Sequence, residues 1–283
     1  VFIKYLKKYY NYIRNMKCCI CGAVRNVEKY LDKIFRNMEK IGSLFTEYTI
    51  ILCYDQSRDN TLGKIKDYQN KNPRLNLIIN PELISKYRTH RLAFARNKCL
   101  DMIRTNYSDY EMFIMMDCDE VCSGHLNLNI LRKNLYKNNW DALSFNKVHY
   151  YDIWALSIKP FIFSYLHFQP DAYTKMLNYI NTILRFTPKN KLITCASAFN
   201  GFSIYRTTKF LNCEYDGTIR LDLIPKYCLK KNIAICRSKI VYKPSVINRV
   251  FPKFEDCEHR SFHMQAINKN KSRIRISPEI LFL

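Results

Sequence analysis

Glu111-Met112-Phe113-Ile114-Met115-Met116-Asp117-Cys118-Asp119-Glu120 is an apolar run that ends abruptly in acid. Bulky apolar residues without polar alternation read as a strand buried on both faces, the kind found in parallel sheets covered by helices. Asp117 and Asp119, two apart in extended backbone, point the same way at the mouth of that strand. Oxygen ligands in this arrangement suit Mg²⁺ or Mn²⁺, which takes one or two carboxylates together with substrate phosphates. A D-x-D triplet alone is a weak signal, because Asp is common in turns. Its place after a buried strand strengthens it. Glu120 extends the acidic cluster or simply starts a helix.

Three similar units precede it. Residues 18–24 (CCICGAV), 48–55 (YTIILCYD) and 75–79 (LNLII) read as buried strands. Residues 27–45, 62–69 and 90–103 follow them with helical spacing of apolar positions. Four strand-helix repeats in 283 residues imply an α/β fold. The expected architecture is Rossmann-like, a mostly parallel central sheet flanked by helices, forming a single domain with a C-terminal elaboration. Ligands of such sheets bind beyond the carboxyl ends of the strands. The residues there are polar: Arg25 and Asn26 after the first strand, Asp55 through Thr61 after the second, Asp117 and Asp119 after the fourth. Asp55 is placed to accept hydrogen bonds from a base or ribose, and Asp59 either joins it or caps the next helix. In the third helix Arg88, Arg91, Arg96 and Asn97 lie at the margins of the apolar stripe, either reaching phosphate or forming a solvated basic face.

Past Ser123 the regularity falls. An aromatic section spans residues 140–168, a strand-like stretch 193–206 (ITCASAFNGFSIYR), and an acidic, histidine-bearing segment 255–263 (EDCEHRSFH). The last collects ligand and base types: Asp256 and Glu258 as general-base candidates, and His259 and His263, one helical turn apart, as candidate metal ligands. It lacks the Glu directly after the first His that the zincin signature requires. The alternative is a capped surface helix with paired charges.

Forty-six Lys and Arg against 24 Asp and Glu give a formal net charge of +22. The cations are spread without a basic block, which disfavours a nucleic-acid partner and reads as compositional bias that also draws in a pyrophosphate. Most of the 12 cysteines lie in apolar runs, including Cys18, Cys19, Cys21, Cys53, Cys99, Cys195 and Cys236, as small buried hydrophobes. Reduced thiols fit a cytoplasmic setting. Neither a transmembrane segment nor a signal peptide is seen in the sequence. Residues 1–16 mix basic and aromatic positions as an amphipathic segment, packing on the domain or resting on a membrane surface as a peripheral contact.

Taken together, CGAVRNVEKYL, YDQSRDNTLGKI, RTHRLAFARNKCLDMI, FIMMDCDE and FNGFSIYR resemble the GT-A glycosyltransferase superfamily, over residues 17–206 and on toward 242. The flavour is that of family-two-like enzymes and fungal capsule mannosyltransferases, and the Lys- and Asn-rich composition is similar to glycosyltransferases of large DNA viruses, which would set it in a host cytoplasm or virion. The resemblance implies transfer of a hexose from a UDP- or GDP-sugar to a glycan, glycoprotein or lipid acceptor, with Mn²⁺ or Mg²⁺. It implies nucleotide contacts from Val24, Arg25, Asn26, Asp55, Arg91, Arg96, Asn97 and Asp117, and a metal held by Asp117 and Asp119, with His259 or His263 as a further ligand. Residues 17–250 then form the transferase domain, 17–123 its nucleotide-binding half and 124–250 its acceptor half, and 251–283 complete the site. The acidic pair that follows the N-G step in such enzymes is represented only by Asp222, which leaves the base open between Asp222, Asp256 and Glu258. A metal-dependent nucleotidyltransferase or hydrolase, and a basic nucleic-acid-binding module, are the competing readings; the G-x-x-x-x-G-K-[ST] loop is absent.

Overall fold

The computed structural model describes residues 16–82, 84–162, 172–223, 226 and 255–283. Among the described residues eight strands form one sheet: β1 (Lys17–Val24), β2 (Glu47–Tyr54), β3 (Leu75–Ile79), β4 (Met112–Met116), β5 (Ala142–Asn146), β6 (Ile193–Cys195), β7 (Phe202–Arg206) and β8 (Ile274–Ile280), in the order β3-β2-β1-β4-β7-β5-β8-β6. The four strands expected from the apolar runs lie together and pair in parallel. Among the described residues seven α-helices accompany them: α1 (Leu31–Gly42), α2 (Thr61–Lys71), α3 (Arg88–Asn106), α4 (Glu120–Ser123), α5 (Leu128–Leu135), α6 (Ala172–Phe186) and α7 (Glu258–Asn270).

The uniformly apolar strands are explained by a core on each face. Cys19, Cys21, Ile51, Phe113 and Met115 join one cluster with Ala95, Cys99 and Ile103 of α3. Their neighbours Cys18, Ile20, Ile50, Leu52 and Ile114 join the other with Leu31, Ile34 and Met38 of α1. Cys18 and Cys21 therefore face opposite sides of the sheet. Cys18, Cys19, Cys21, Cys53, Cys99 and Cys195 are all free and buried; Cys236 lies outside the described residues.

The stretch 193–206 is two strands and not one. Asn200 (φ 54°) and Gly201 (φ 85°) reverse the chain, and Phe202 N–H donates to Phe199 O at 3.2 Å to close the turn. An Asn-Gly pair is suited to consecutive positive φ values. The turn sends β7 antiparallel between β4 and β5, while β6 goes to the far edge. Residues from the end of the sequence contribute β8, parallel to β5 and inside the same sheet. Among the described residues no helix is long and apolar enough to cross a membrane. Residues 1–15, and 163–171, 224–225 and 227–254 of the expected acceptor half and the start of the C-terminal segment, lie outside the described residues.

Candidate active site

The carboxyl ends of β1, β2 and β4 open onto a cavity of about 330 Å³ lined by Val24, Arg25, Asp55, Arg88, Arg91, Asp117 and Asp119, among others. Asp117 continues β4, and its N–H donates to Gly201 O at 2.8 Å. Cys118 turns to the opposite side and is buried against Gly22 of β1, where an added Cβ would meet its Sγ at 2.3 Å. That close approach seats the intervening residue of the D-x-D step. Burial pushes the Asp117 carboxyl up to about 6; Arg96 opposes the rise and the neighbouring Asp119 and Asp152 add to it. Asp119 caps the short helix α4 by accepting from Val121 N–H at 3.0 Å. Across the cavity Asp55 is clamped between Arg25 at 3.2 Å and Arg91 at 3.5 Å.

Asp117 is shared with a second cavity of about 320 Å³, lined also by Arg88, Arg96, Tyr151, Asp152, Trp154, Tyr173, Glu258 and His259. Arg96, only 3% exposed, joins the two: it reaches Asp117 at 3.2 Å and pairs with Glu258. Its guanidinium lies over the Phe199 ring, 4.9 Å from the centroid. Tyr151 donates its hydroxyl to the other Asp117 oxygen at 3.2 Å, and burial pushes its phenol up so that it stays a donor. The Asn200-Gly201 turn organises this wall. Asn200 Oδ1 accepts from Tyr151 and Asp152 N–H, and Asp152 accepts from Asn200 N–H at 3.1 Å and Ala155 N–H at 3.1 Å. Burial raises the Asp152 pKa against these backbone donors. A Cβ on Gly201 would meet Val121 at 2.2 Å and the Tyr151 hydroxyl at 3.0 Å.

Several sequence-derived candidates sit elsewhere or are already occupied. Asn26 Oδ1 accepts from Arg58 N–H at 2.7 Å, so its side chain ties two loops together. Asp59 Oδ1 accepts from Thr61 N–H at 3.2 Å and from the Thr61 hydroxyl at 2.6 Å, which ties it to the start of α2. Asn97 both accepts from and donates to the backbone of Tyr215, each at 2.8 Å, which spends its amide on the scaffold. Asp222 is 61% exposed at its side chain, and both its oxygens are taken by Arg220 at 2.8 and 2.7 Å. Asp256 is buried on Arg260 and Cys257 N–H.

The histidines do not gather with the aspartates: among the described residues no cluster of three or more His, Cys, Asp or Glu is arranged to hold a metal. His263 uses Nδ1 on Ser197 at 2.9 Å and Nε2 on Tyr205 at 3.2 Å, and burial pushes it down to about 3. His259 stacks on Phe199 at 3.7 Å, and burial, with Arg96 close by, holds it well below the usual range. Of the aromatic section 140–168, Tyr151 and Trp154 line the second cavity, Tyr150 is core, and Tyr165 lies outside the described residues. Sequence reasoning missed Asp152 altogether. Its one signal is an acid within an otherwise apolar, aromatic stretch.

A mostly parallel sheet with an acidic pair at the end of its fourth strand, facing an Arg-clamped Asp at the end of the second, defines an α/β enzyme of the GT-A architecture. The glycosyl transferase family 2 profile matches residues 19–205, and the chain belongs to that family. Among solved structures it is similar to S. aureus TarS, at TM-score 0.51 and 17% identity over 94% of this chain and 36% of that one. It is also similar to S. aureus TarS 1-349 in complex with UDP-GlcNAc, at TM-score 0.50 and 16% identity over 94% and 58%. The chain thus spans less than two thirds of the length of either, and the likeness is one of fold. No curated protein sequence matches it.

Proposed function

We propose that the chain transfers a hexose from a UDP- or GDP-sugar bound in the first cavity to a hydroxyl of a glycan, glycoprotein or lipid acceptor bound in the second. One juxtaposition supports this most: Asp117 and Asp119 share a wall of the cavity whose opposite side carries Asp55 between Arg25 and Arg91. Asp55 and Val24 meet the nucleoside, and Arg88 and Arg91 meet the diphosphate, where guanidinium forks suit phosphate oxygens.

The residues fit a divalent cation. Two neighbouring carboxylates at the mouth of one cavity are a hard-oxygen pair of the kind that such a cation takes. Mn²⁺ or Mg²⁺ bound there supplies Lewis-acid stabilisation of the departing diphosphate. Arg96 fixes Asp117 and Glu258 relative to one another, so that the donor end and the acceptor end of the site share one rigid strut. Glu258, buried and facing the second cavity, takes the proton of the acceptor hydroxyl. Asp222, outward on Arg220, is set aside for that role.

A screen of UDP- and GDP-sugars for acceptor-free hydrolysis with Mn²⁺ tests the reading. Wild type should turn over at least one donor, and Asp119→Ala should lower that rate by about 10²-fold or more. Failure of wild type to bind or turn over any donor would sink the proposal.

A further inference from the structure

We propose that a basic hollow between α1 and residues 123–125 binds a phosphoryl group, at a place distinct from the donor cavity. Lys33, Arg36 and Lys40 are spaced by three and four along α1 and so line one outward face of the helix. All three are exposed. Together with Asn37, Ser123 and His125 they surround a space of about 280 Å³ in which no carboxylate side chain takes part. Like charges at such spacing repel, and among the described residues none of the three has an acidic partner within salt-bridge distance. Cations on other helices do: Lys64 meets Asp32 at 3.0 Å and Arg104 meets Asp101 at 2.7 Å.

The floor of the hollow is fixed in advance. Asn37 Nδ2 donates to both Cys122 O and Gly124 O at 2.9 Å. His125 and Leu283 exchange two backbone hydrogen bonds of 2.7 and 2.9 Å. A Cβ on Gly124 would meet Leu283 O at 2.2 Å, so only glycine allows the approach. A rigid floor lowers the ordering cost of binding. A phosphate monoester, with nearly two negative charges and three acceptor oxygens, matches one forked guanidinium and two ammonium groups. A single carboxylate would leave most of that charge uncompensated. The donor cavity is lined by α3, which packs in the cluster on the other face of the sheet from α1. Occupancy of one site therefore does not require the other.

The test uses calorimetric titration with inorganic phosphate in EDTA, and co-sedimentation with phosphatidylcholine vesicles with and without phosphatidic acid. Wild type is compared with Lys33→Gln/Arg36→Gln/Lys40→Gln and with Arg36→Gln alone. Circular dichroism and donor hydrolysis, unchanged in both, show that fold and active site persist. The triple variant should bind its probe about tenfold or more weakly. A loss on inorganic phosphate identifies a free phosphate ligand, and a loss confined to phosphatidic acid vesicles identifies a lipid headgroup. Equal binding of wild type and triple variant to both probes, or no binding by wild type to either, would overturn the proposal. Because donor hydrolysis is read separately, this failure is distinguishable from failure of the transferase reading.

Discussion

Around the first cavity Asp55, Arg88, Arg91, Asp117 and Asp119 are all at least partly open to solvent. On the α7 side every residue from Glu255 to Gln265 is buried, and its charges are spent on the scaffold. Glu255 takes Thr89 N–H and Oγ1, Asp256 takes Arg260, and Glu258 takes Arg96. The first group is paired too, Asp55 with Arg25 and Arg91, but lies open enough for a ligand to reach it; the second is closed off in fixed geometry. A buried ion pair is costly to form but more costly to break, since one charge is then stranded. Substitutions on the two sides should therefore fail differently, the open side in binding and chemistry, the closed side in stability as well.

Glu258 is the exception that joins both behaviours, and Glu258→Gln should have the largest effect. With the proton acceptor gone, transfer to acceptor should fall by about 10²–10⁴-fold. Acceptor-free donor hydrolysis should fall far less, because Asp117 and Asp119 are untouched. The melting temperature should also drop, as Arg96 keeps only Asp117 as a charged partner. Transfer within a few-fold of wild type would remove Glu258 from the chemistry.

Acid should act first on the closed side. His263 is neutral in the fold, with its pKa pushed from 6.5 to about 3, so the unfolded chain binds the proton more readily. Its contribution is complete above pH 6.5 and is lost as pH falls from there toward 3. Each pH unit in that window costs about 1.4 kcal/mol for one such group. Between pH 7 and pH 5 the wild type should lose about 2 kcal/mol to this residue, and His259 acts in the same direction. Urea midpoints at the two pH values, compared with His263→Gln, read it out. An unchanged pH slope in the variant would show that His263 is not buried neutral.

The same contrast explains what was legible in the sequence. The β1-β2-β3-β4 half announces itself because parallel strands covered on both faces must be apolar throughout, and its ligand-facing residues follow each run directly. Asp117 and Asp119 are found by position. The closed half depends on contacts between residues remote in sequence. Asp152 becomes a cavity wall only because Asn200, 48 positions later, folds back onto it. Spacing His259 and His263 one turn apart sets them on one helical face, but only the tertiary fold reveals that Ser197 and Tyr205 occupy one of them. Asn97 is an instance of the same limit: its place in an A-R-N step of α3 reads as a nucleotide contact, whereas it grips the Tyr215 backbone at two points. Asn97→Ala should cost about 1–3 kcal/mol of stability by stranding those groups, with donor KM unchanged. A selective rise in donor KM would return Asn97 to the nucleotide site.

Asp222→Asn is expected to do least, and is the more informative for it. The family resemblance makes Asp222 a base candidate, while its carboxylate lies outward and bidentate on Arg220, whose approach is also what lowers its pKa. An exposed pair of this kind contributes within about 1 kcal/mol, and a base that must receive a proton from a bound acceptor has to sit within hydrogen-bond reach of it. Transfer rate and melting temperature should therefore both stay near wild type while Glu258→Gln is nearly inactive. If the ranking is reversed, with Asp222→Asn inactive and Glu258→Gln active but unstable, the α7 carboxylates are scaffold throughout and the acceptor base belongs to the Arg220–Asp222 side.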